Sequence, residues 1–504
     1  MGFSWEYLYQ GFTTALSLQN LFWALVGCFI GTLVGVLPGI GPASGIAILL
    51  PLTTVLPPTS AIIMMAAIYY GAMYGGSTTS ILANIPGESA SVMTAVEGYE
   101  MAKKGRGGAA LGMSAFGSFI AGTVGLILLG LLAPLLAKMA LKFGPPEYFS
   151  LMLLSFTLVA ALSTNNILKG MIMLGLGLCT SMIGIDLITG EARFTFGNLT
   201  LLDGIDFVIV AIGLFAISEV LINLESLIPP ISQLKHFRFS ELLPTRQDWR
   251  VSLAPILRAT GLGFFIGCLP GGGATISSFI CYGVEKGLSK EPEKFGTGHM
   301  PAIAAVESCN NACAAGGFVP LLTLGIPSGG STAMLLGGFM MLGVAPGPSL
   351  FTLHPDVVWG LIASMYIGNL MLLVLNLPLI SVFIQILRLP YPVMALFVSV
   401  LSVLGVYSLT NDINKLWIML FFGVAGYGLR KLDFPLPPML LGVVLGDMME
   451  AALRQSLALS KGSWIIFVQR PVAVVLLTVF VIVAAWQLYT IFKHGKVAWG
   501  SDDA

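Results

Sequence analysis

Between Glu6 and Glu88 the chain carries no charged side chain, yet glycine and proline interrupt this apolar interval again and again. A plain membrane helix and a soluble core both fit that combination poorly. The stretch Gly31-Thr-Leu-Val-Gly35-Val-Leu37-Pro38-Gly39-Ile-Gly41 breaks the chain in the middle of apolar sequence, and Gly263-Phe-Phe-Ile-Gly267-Cys-Leu269-Pro270-Gly271-Gly-Gly273 repeats the pattern. Irregular backbone at membrane depth is tolerated where it is buried in protein or lines a cavity. Two such breaks at corresponding positions of two halves point to a transporter binding site.

Composition places the chain in the bilayer. Of 504 residues, 56% are hydrophobic and only 10% charged, against about 25% charged in soluble domains. The net charge of zero gives no reason to expect nucleic acid as a partner. No Lys or Arg precedes Lys103, so the N-terminal region lacks the basic stretch of a secretory signal peptide. Six cysteines without a CxxC pair, and four scattered histidines, indicate no metal centre; small apolar packing is the expected role of the cysteines.

The expected fold is an all-α polytopic membrane protein with about eleven to thirteen crossings, some of them hairpins or half-spans. Residues 1–225 form a first repeat half, 226–252 a cytoplasmic connector, 253–469 a second repeat half, and 470–504 a C-terminal helix and tail. Lys103, Lys104 and Arg106 mark one inside loop, and the basic cluster at 235–250 marks another. The first repeat then travels inward and the second outward, the signature of inverted topology. Arg454, Lys461 and Arg470 fit this scheme poorly. Glu97, Glu100, Lys103, Lys104 and Arg106 read as a solvated turn.

Proline removes a backbone donor, and glycine lets the chain reverse, so both breaks leave main-chain groups bare. Bare amides at helix N-termini suit an anion, and bare carbonyls suit Na⁺. Pro38, Gly39, Gly271, Gly273, Thr275 and Ser277 are therefore substrate-binding candidates. The bland alternative is a packing kink, with Gly31/Gly35 and Gly263/Gly267 as small-residue helix contacts. A second pair of breaks follows. It contains Ser77, Thr78, Asn84, Pro86 and Gly87 in the first half, and Pro327, Ser328, Ser331 and Thr332 in the second. Hydroxyls and amides hold carboxylates without the cost of burying a charge; back-bonding to helix carbonyls is the competing role.

Glu307-Ser308-Cys309-Asn310-Asn311 is the sharpest polar cluster in apolar sequence. An intramembrane carboxylate is by default a functional candidate. Glu307, Asn310, Asn311 and Gly41 are expected to couple an ion, with Na⁺ held through Gly39, Gly271, Asn310 and Asn311. The alternative puts Glu307 at an aqueous helix start.

These motifs, in one order along nearly the whole chain, resemble the large membrane subunit of the tripartite tricarboxylate transporter family (TctA type). The resemblance rests on the Leu37–Gly41 break, Tyr70-Gly-Ala-Met-Tyr-Gly75-Gly76-Ser77, Asn84-Ile-Pro86-Gly87, Glu97-Gly98-Tyr99 and Gly184-Ile-Asp186 with Arg193-Phe-Thr-Phe-Gly197. It continues through Glu307–Ala312, Leu324–Pro327 and Phe422-Gly423-Val-Ala-Gly426-Tyr427. Cys309 stands where the family commonly has Ala, and Glu97 where Asp is frequent.

The resemblance implies a secondary importer of carboxylates (citrate, another di- or tricarboxylate, or an aromatic acid) in the bacterial inner membrane. Its partners would be a small four-span membrane subunit and a periplasmic solute-binding protein. An Na⁺ or H⁺ gradient would drive it, with no cofactor. Paired re-entrant hairpins suggest an elevator-like domain moving against a homodimeric scaffold. The rival readings are a passive anion channel and an intramembrane enzyme, and the second lacks an evident nucleophile–base pair or aspartate dyad.

Overall fold

The computed structural model describes residues 5–37, 40–162, 167–186, 189–226, 237–386 and 391–493. Almost all regular structure is helical. A two-stranded antiparallel hairpin, β1 (Gly184–Ile185) with β2 (Ala192–Arg193), makes up the strand content among the described residues. Seven helices there are long and apolar enough to cross a bilayer. Their burial differs with position: Phe207–Glu225 is mostly buried, whereas Pro392–Thr410 and Pro471–Tyr489 are largely exposed. Exposed helices of predominantly apolar, uncharged composition suit lipid, where every backbone group must be satisfied within the helix. The expected all-α polytopic architecture is the one observed.

One order of elements occurs twice. In the first half, α1 (Leu18–Val36) ends at the first break, α2 (Gly41–Thr53) restarts beyond it, and α3 (Pro58–Ala83) follows. Then come α4 (Val92–Lys103) and the 34-residue α5 (Gly107–Ala140). In the second half, α6 (Arg246–Gly267) ends at the second break, α7 (Ala274–Leu288) restarts, and α8 (Met300–Leu324) precedes α9 (Gly330–Met341). α3 and α8 both end on a left-handed residue, Asn84 (φ 58°) and Gly325 (φ 68°), just before an Ile-Pro pair. At 26 and 25 residues these two helices would span about 38 Å, enough to cross. By contrast α2 and α9, with 13 and 12 residues, cover only about half a bilayer.

The glycines before each break pack helices backbone to backbone. A Cβ on Gly31 or Gly35 would lie 2.4 or 2.3 Å from the carbonyl oxygen of Ile68 or Ala72 on α3. On Gly263 or Gly267 it would lie 2.2 Å from the carbonyl of Cys309 or Cys313 on α8. Glycines four apart share one helix stripe, so the partner backbone slides into the space their missing side chains leave. The helix-contact reading of these glycines therefore holds together with the chain break.

The basic loop after α4 meets the connector. Arg106 Nη2 lies 2.7 Å from both carboxylate oxygens of Asp248, which also caps α6 through Thr245. Gly108 and Gly112 of α5 receive the Glu241 and Leu242 carbonyls. Residues 103–106 and 237–250 thus lie on one side of the molecule; Lys235 lies outside the described residues. Arg454 and Arg470 are neutralised locally, the first by Asp186 and Glu450 and the second by Glu147.

Glu97 corrects the reading of this region as a solvated turn. Its carboxylate is fully buried and accepts from Tyr282 Oη and from the amides of Gly296, Gly298 and His299, at 2.6–2.9 Å. His299 is the N-cap of α8, so Glu97 places a negative charge at the positive end of that helix. One side chain of α4 thereby ties the first half to the start of the second.

Candidate functional site: a cavity between the two broken regions

A cavity of about 680 Å³ opens where the breaks of both halves converge. The first half contributes Gly41, Pro42, Ser44, Pro86, Glu88 and Ser89. The second contributes Gly271, Gly273, Thr275, Ser328, Ser331 and Thr332. The halves touch directly at its wall, where the Ser89 and Thr275 side-chain oxygens are 2.7 Å apart.

Four helices begin on this cavity: α2 at Gly41, α7 at Ala274, α9 at Gly330, and α10 (Leu436–Leu459). None has a side-chain cap hydrogen bond at its first residue. Thr332 turns its hydroxyl to the Gly329 amide, one position ahead of α9. Pro42, Pro437 and Pro438 carry no amide hydrogen, so α7 and α9 supply most of the open N–H groups. Uncapped first-turn amides and the partial positive charge of four dipoles converge on one space. That arrangement favours an anion.

The far parts of the chain complete the wall. Phe215 lies in the π-helical stretch Ile212–Ile217, and its carbonyl accepts from Ser44 Oγ at 3.1 Å. Single-turn π segments free a carbonyl from the helix ladder and recur at functional sites. Glu219 and Arg430 also line the cavity and form an ion pair with each other. The charges on the wall are thus Glu88, Glu219 and Arg430, which leaves Glu88 without an opposing cation.

The candidate residues divide into two groups. Gly41, Pro86, Gly271, Gly273, Thr275, Ser328, Ser331 and Thr332 line the cavity. Pro38 and Gly39 lie outside the described residues. Ser77, Thr78, Asn84, Gly87, Ser277 and Pro327 are in the supporting layer. Ser77 Oγ donates to Glu307 Oε2 at 2.5 Å, Thr78 is buried, Asn84 ends α3, and Ser277 pairs with Cys309. Gly87 sits where a Cβ would come 2.1 Å from the Gly35 carbonyl oxygen and 2.7 Å from Gly76 Cα. Glycine is therefore the residue that lets the loop after α3 close on α1.

The polar cluster of α8 also stands behind the wall. Glu307 is fully buried, and Ser77 and Thr94 each donate to one of its oxygens. Asn311 Nδ2 reaches Ser118 Oγ, the Glu307 carbonyl and Asn310 Oδ1 at 2.7–3.1 Å. Asn310 Nδ2, Asn311 Oδ1 and Ser308 Oγ are buried with no hydrogen-bond partner. The cluster joins α3, α4, α5 and α8. The aqueous helix-start alternative for Glu307 is excluded by its depth.

Sequence reasoning missed Glu88, Ser89, Glu219, Arg430 and the start of α10 as cavity residues. Glu88 and Ser89 stood inside a motif already singled out. The others lie outside the motifs of the breaks and carry no local sign of the site.

The family model described as "Tripartite tricarboxylate transporter TctA family" matches residues 21–441. A relative from Agrobacterium vitis, described as an uncharacterized 52.8 kDa protein in the TAR-I ttuC' 3' region, is 45% identical over 469 residues, covering 93% of each chain. A second from the same organism, described only as an uncharacterized protein in the TAR-II ttuC' 3' region, is 42% identical over 215 residues. That match covers 43% of this chain and 89% of the relative. No solved structure gives a significant match. The match spans both breaks, the buried Glu307 cluster and the start of α10, and the chain belongs to the tripartite tricarboxylate transporter TctA family.

Proposed function

We propose that this multi-pass membrane protein imports carboxylates as the large permease subunit of a binding-protein-dependent secondary transporter in the bacterial inner membrane. The observation that carries the reading is the convergence of four uncapped helix starts and the hydroxyls of Ser89, Thr275, Ser328 and Ser331 on one cavity. Bare amides and hydroxyls satisfy a carboxylate without a full countercharge and release it again at modest cost. Family membership supports a role in transport rather than catalysis, within a tripartite system. A small four-span subunit and a periplasmic solute-binding protein are the proposed partners, and an Na⁺ or H⁺ gradient the proposed driving force.

The recurring order of broken helices supports an inverted repeat in which short helices flank the solute. Elevator-like movement of this unit against a dimeric scaffold follows as the proposed transport step. Reconstitution with both companion proteins tests the reading. Radiolabelled citrate, malate and benzoate are offered under separate Na⁺ and pH gradients. Uptake of at least one that requires the binding protein and a gradient is expected. Uptake that equilibrates without any gradient would instead favour a passive channel.

A further inference from the structure

Glu88 sits in the cavity wall, is 6% exposed, and has one carboxylate oxygen, Oε1, with no hydrogen-bond partner. The rest of the residue is firmly held. Its amide donates to Ser91 Oγ at 3.3 Å, its carbonyl accepts from Ser91 Oγ at 2.8 Å, and its Cγ packs where Gly76 lacks a side chain. A buried carboxylate oxygen without a donor is costly as an anion and is relieved by taking up a proton.

The surroundings supply no cation for it. The ionisable groups about Glu88 are Tyr69 on α3, Glu307 and Cys313 on α8, and the Glu219–Arg430 pair, in which the guanidinium is already engaged. A carboxylate ligand entering this cavity would meet Glu88 as a like charge. Glu307 is differently placed: it does not line the cavity, and both of its oxygens are held by hydroxyl groups.

We propose that Glu88 is the proton carrier of the transport cycle. The proton enters from the side on which the cavity is open, binds Oε1, and turns the carboxylate from a repelling anion into a donor toward the bound substrate carboxylate. Proton and substrate then leave together on the other side, and the deprotonated Glu88 drives the empty cavity back. No covalent bond is made or broken. The inference rests on the carboxylate reading of the cavity and adds to it the identity of the coupling ion and its seat.

Glu88→Gln keeps the shape and a donor but holds no exchangeable charge. In proteoliposomes containing all three subunits, this variant is expected to lose pH-gradient-driven accumulation of citrate, malate or benzoate. Exchange of internal for external substrate that survives at a reduced rate separates uncoupling from misfolding, and loss of exchange by a variant that still assembles with its partners overturns the proposal. Accumulation by Glu88→Gln equal to the native complex would overturn the proposal. So would native accumulation that follows an Na⁺ gradient and ignores an imposed pH gradient. If the native complex moves none of the three acids, the carboxylate reading itself fails. The proton seat is then decided without substrate, by infrared pH-difference spectra of the purified chain. A carboxylic-acid band present in the native protein and absent from Glu88→Gln supports it, and identical spectra overturn it.

Discussion

The side-chain oxygens of Ser89 and Thr275 lie 2.7 Å apart across a cavity wall, although 186 positions separate them in the chain. Ser89 opens the short 3₁₀ turn after the break that ends α3, and Thr275 stands in the first turn of α7. This hydrogen bond joins the two halves directly at the cavity wall.

Thr275→Val preserves side-chain volume while removing that bond and one hydroxyl of the cavity. A partly exposed hydrogen bond is worth about 1 kcal/mol, so thermal melting in detergent is expected to change little. KM for the transported acid is expected to rise. An unchanged KM would remove Thr275 from the substrate site.

Gly87→Ala presses a methyl group against the backbone of Gly35 and Gly76. Neither neighbour is a flexible side chain, so relief requires the loop to move away from α1. Overpacking of this kind costs about 1–3 kcal/mol, read as a lower melting temperature together with lost uptake. Gly41→Ala is a useful contrast, because its φ of 59° strains alanine while no atom lies within 4 Å of the new methyl.

Glu97→Gln replaces a carboxylate that accepts four hydrogen bonds with a group that presents N–H to two of the same donors. Hydrogen bonds to a charged group contribute about 1.5–3 kcal/mol each where partners are left unpaired. Tyr282→Phe removes a single donor. The expected order of thermal stability is native, then Tyr282→Phe, then Glu97→Gln, and a reversal would contradict the clamp.

Arg106 and Asp248 place residues 103–106 and 237–250 on one side of the protein. In a Cys179→Ser background, Lys103→Cys and Arg246→Cys are both exposed positions. Membrane-impermeant thiol reagents should label both from the cytoplasmic side only. Labelling from opposite sides would refute the shared face.

Local chemistry made the helix breaks legible in the sequence. Pro270 with Gly271, Asn84 before Ile-Pro, and Gly325 before Ile-Pro mark the helix ends. For Glu307 the sequence showed only the edge of an uncharged stretch running to Asp356, and its burial among α3, α4 and α5 decided between depth and an aqueous helix start. Which hydroxyls face the cavity was not legible, since Ser77 and Ser277 lie on helix faces turned toward α8 and only packing decides that. Glu97 looked solvated because its neighbours are Glu100, Lys103 and Lys104, while its true partners are amides about 200 positions downstream. Phe215 reaches the cavity from a helix with no motif of its own, and Arg430 stands just past the Phe422–Tyr427 motif, whose residues gave no sign of facing the cavity.

The central claim is that the two broken regions jointly enclose the solute. An electron cryomicroscopy map of the three-subunit complex, prepared with whichever acid it transports, tests this most directly. Ligand density is expected between the first turns of α7 and α9, within hydrogen-bonding distance of Thr275 and Ser331 and adjoining Ser89 and Glu88. Density seated elsewhere, with this cavity holding only solvent, would contradict it.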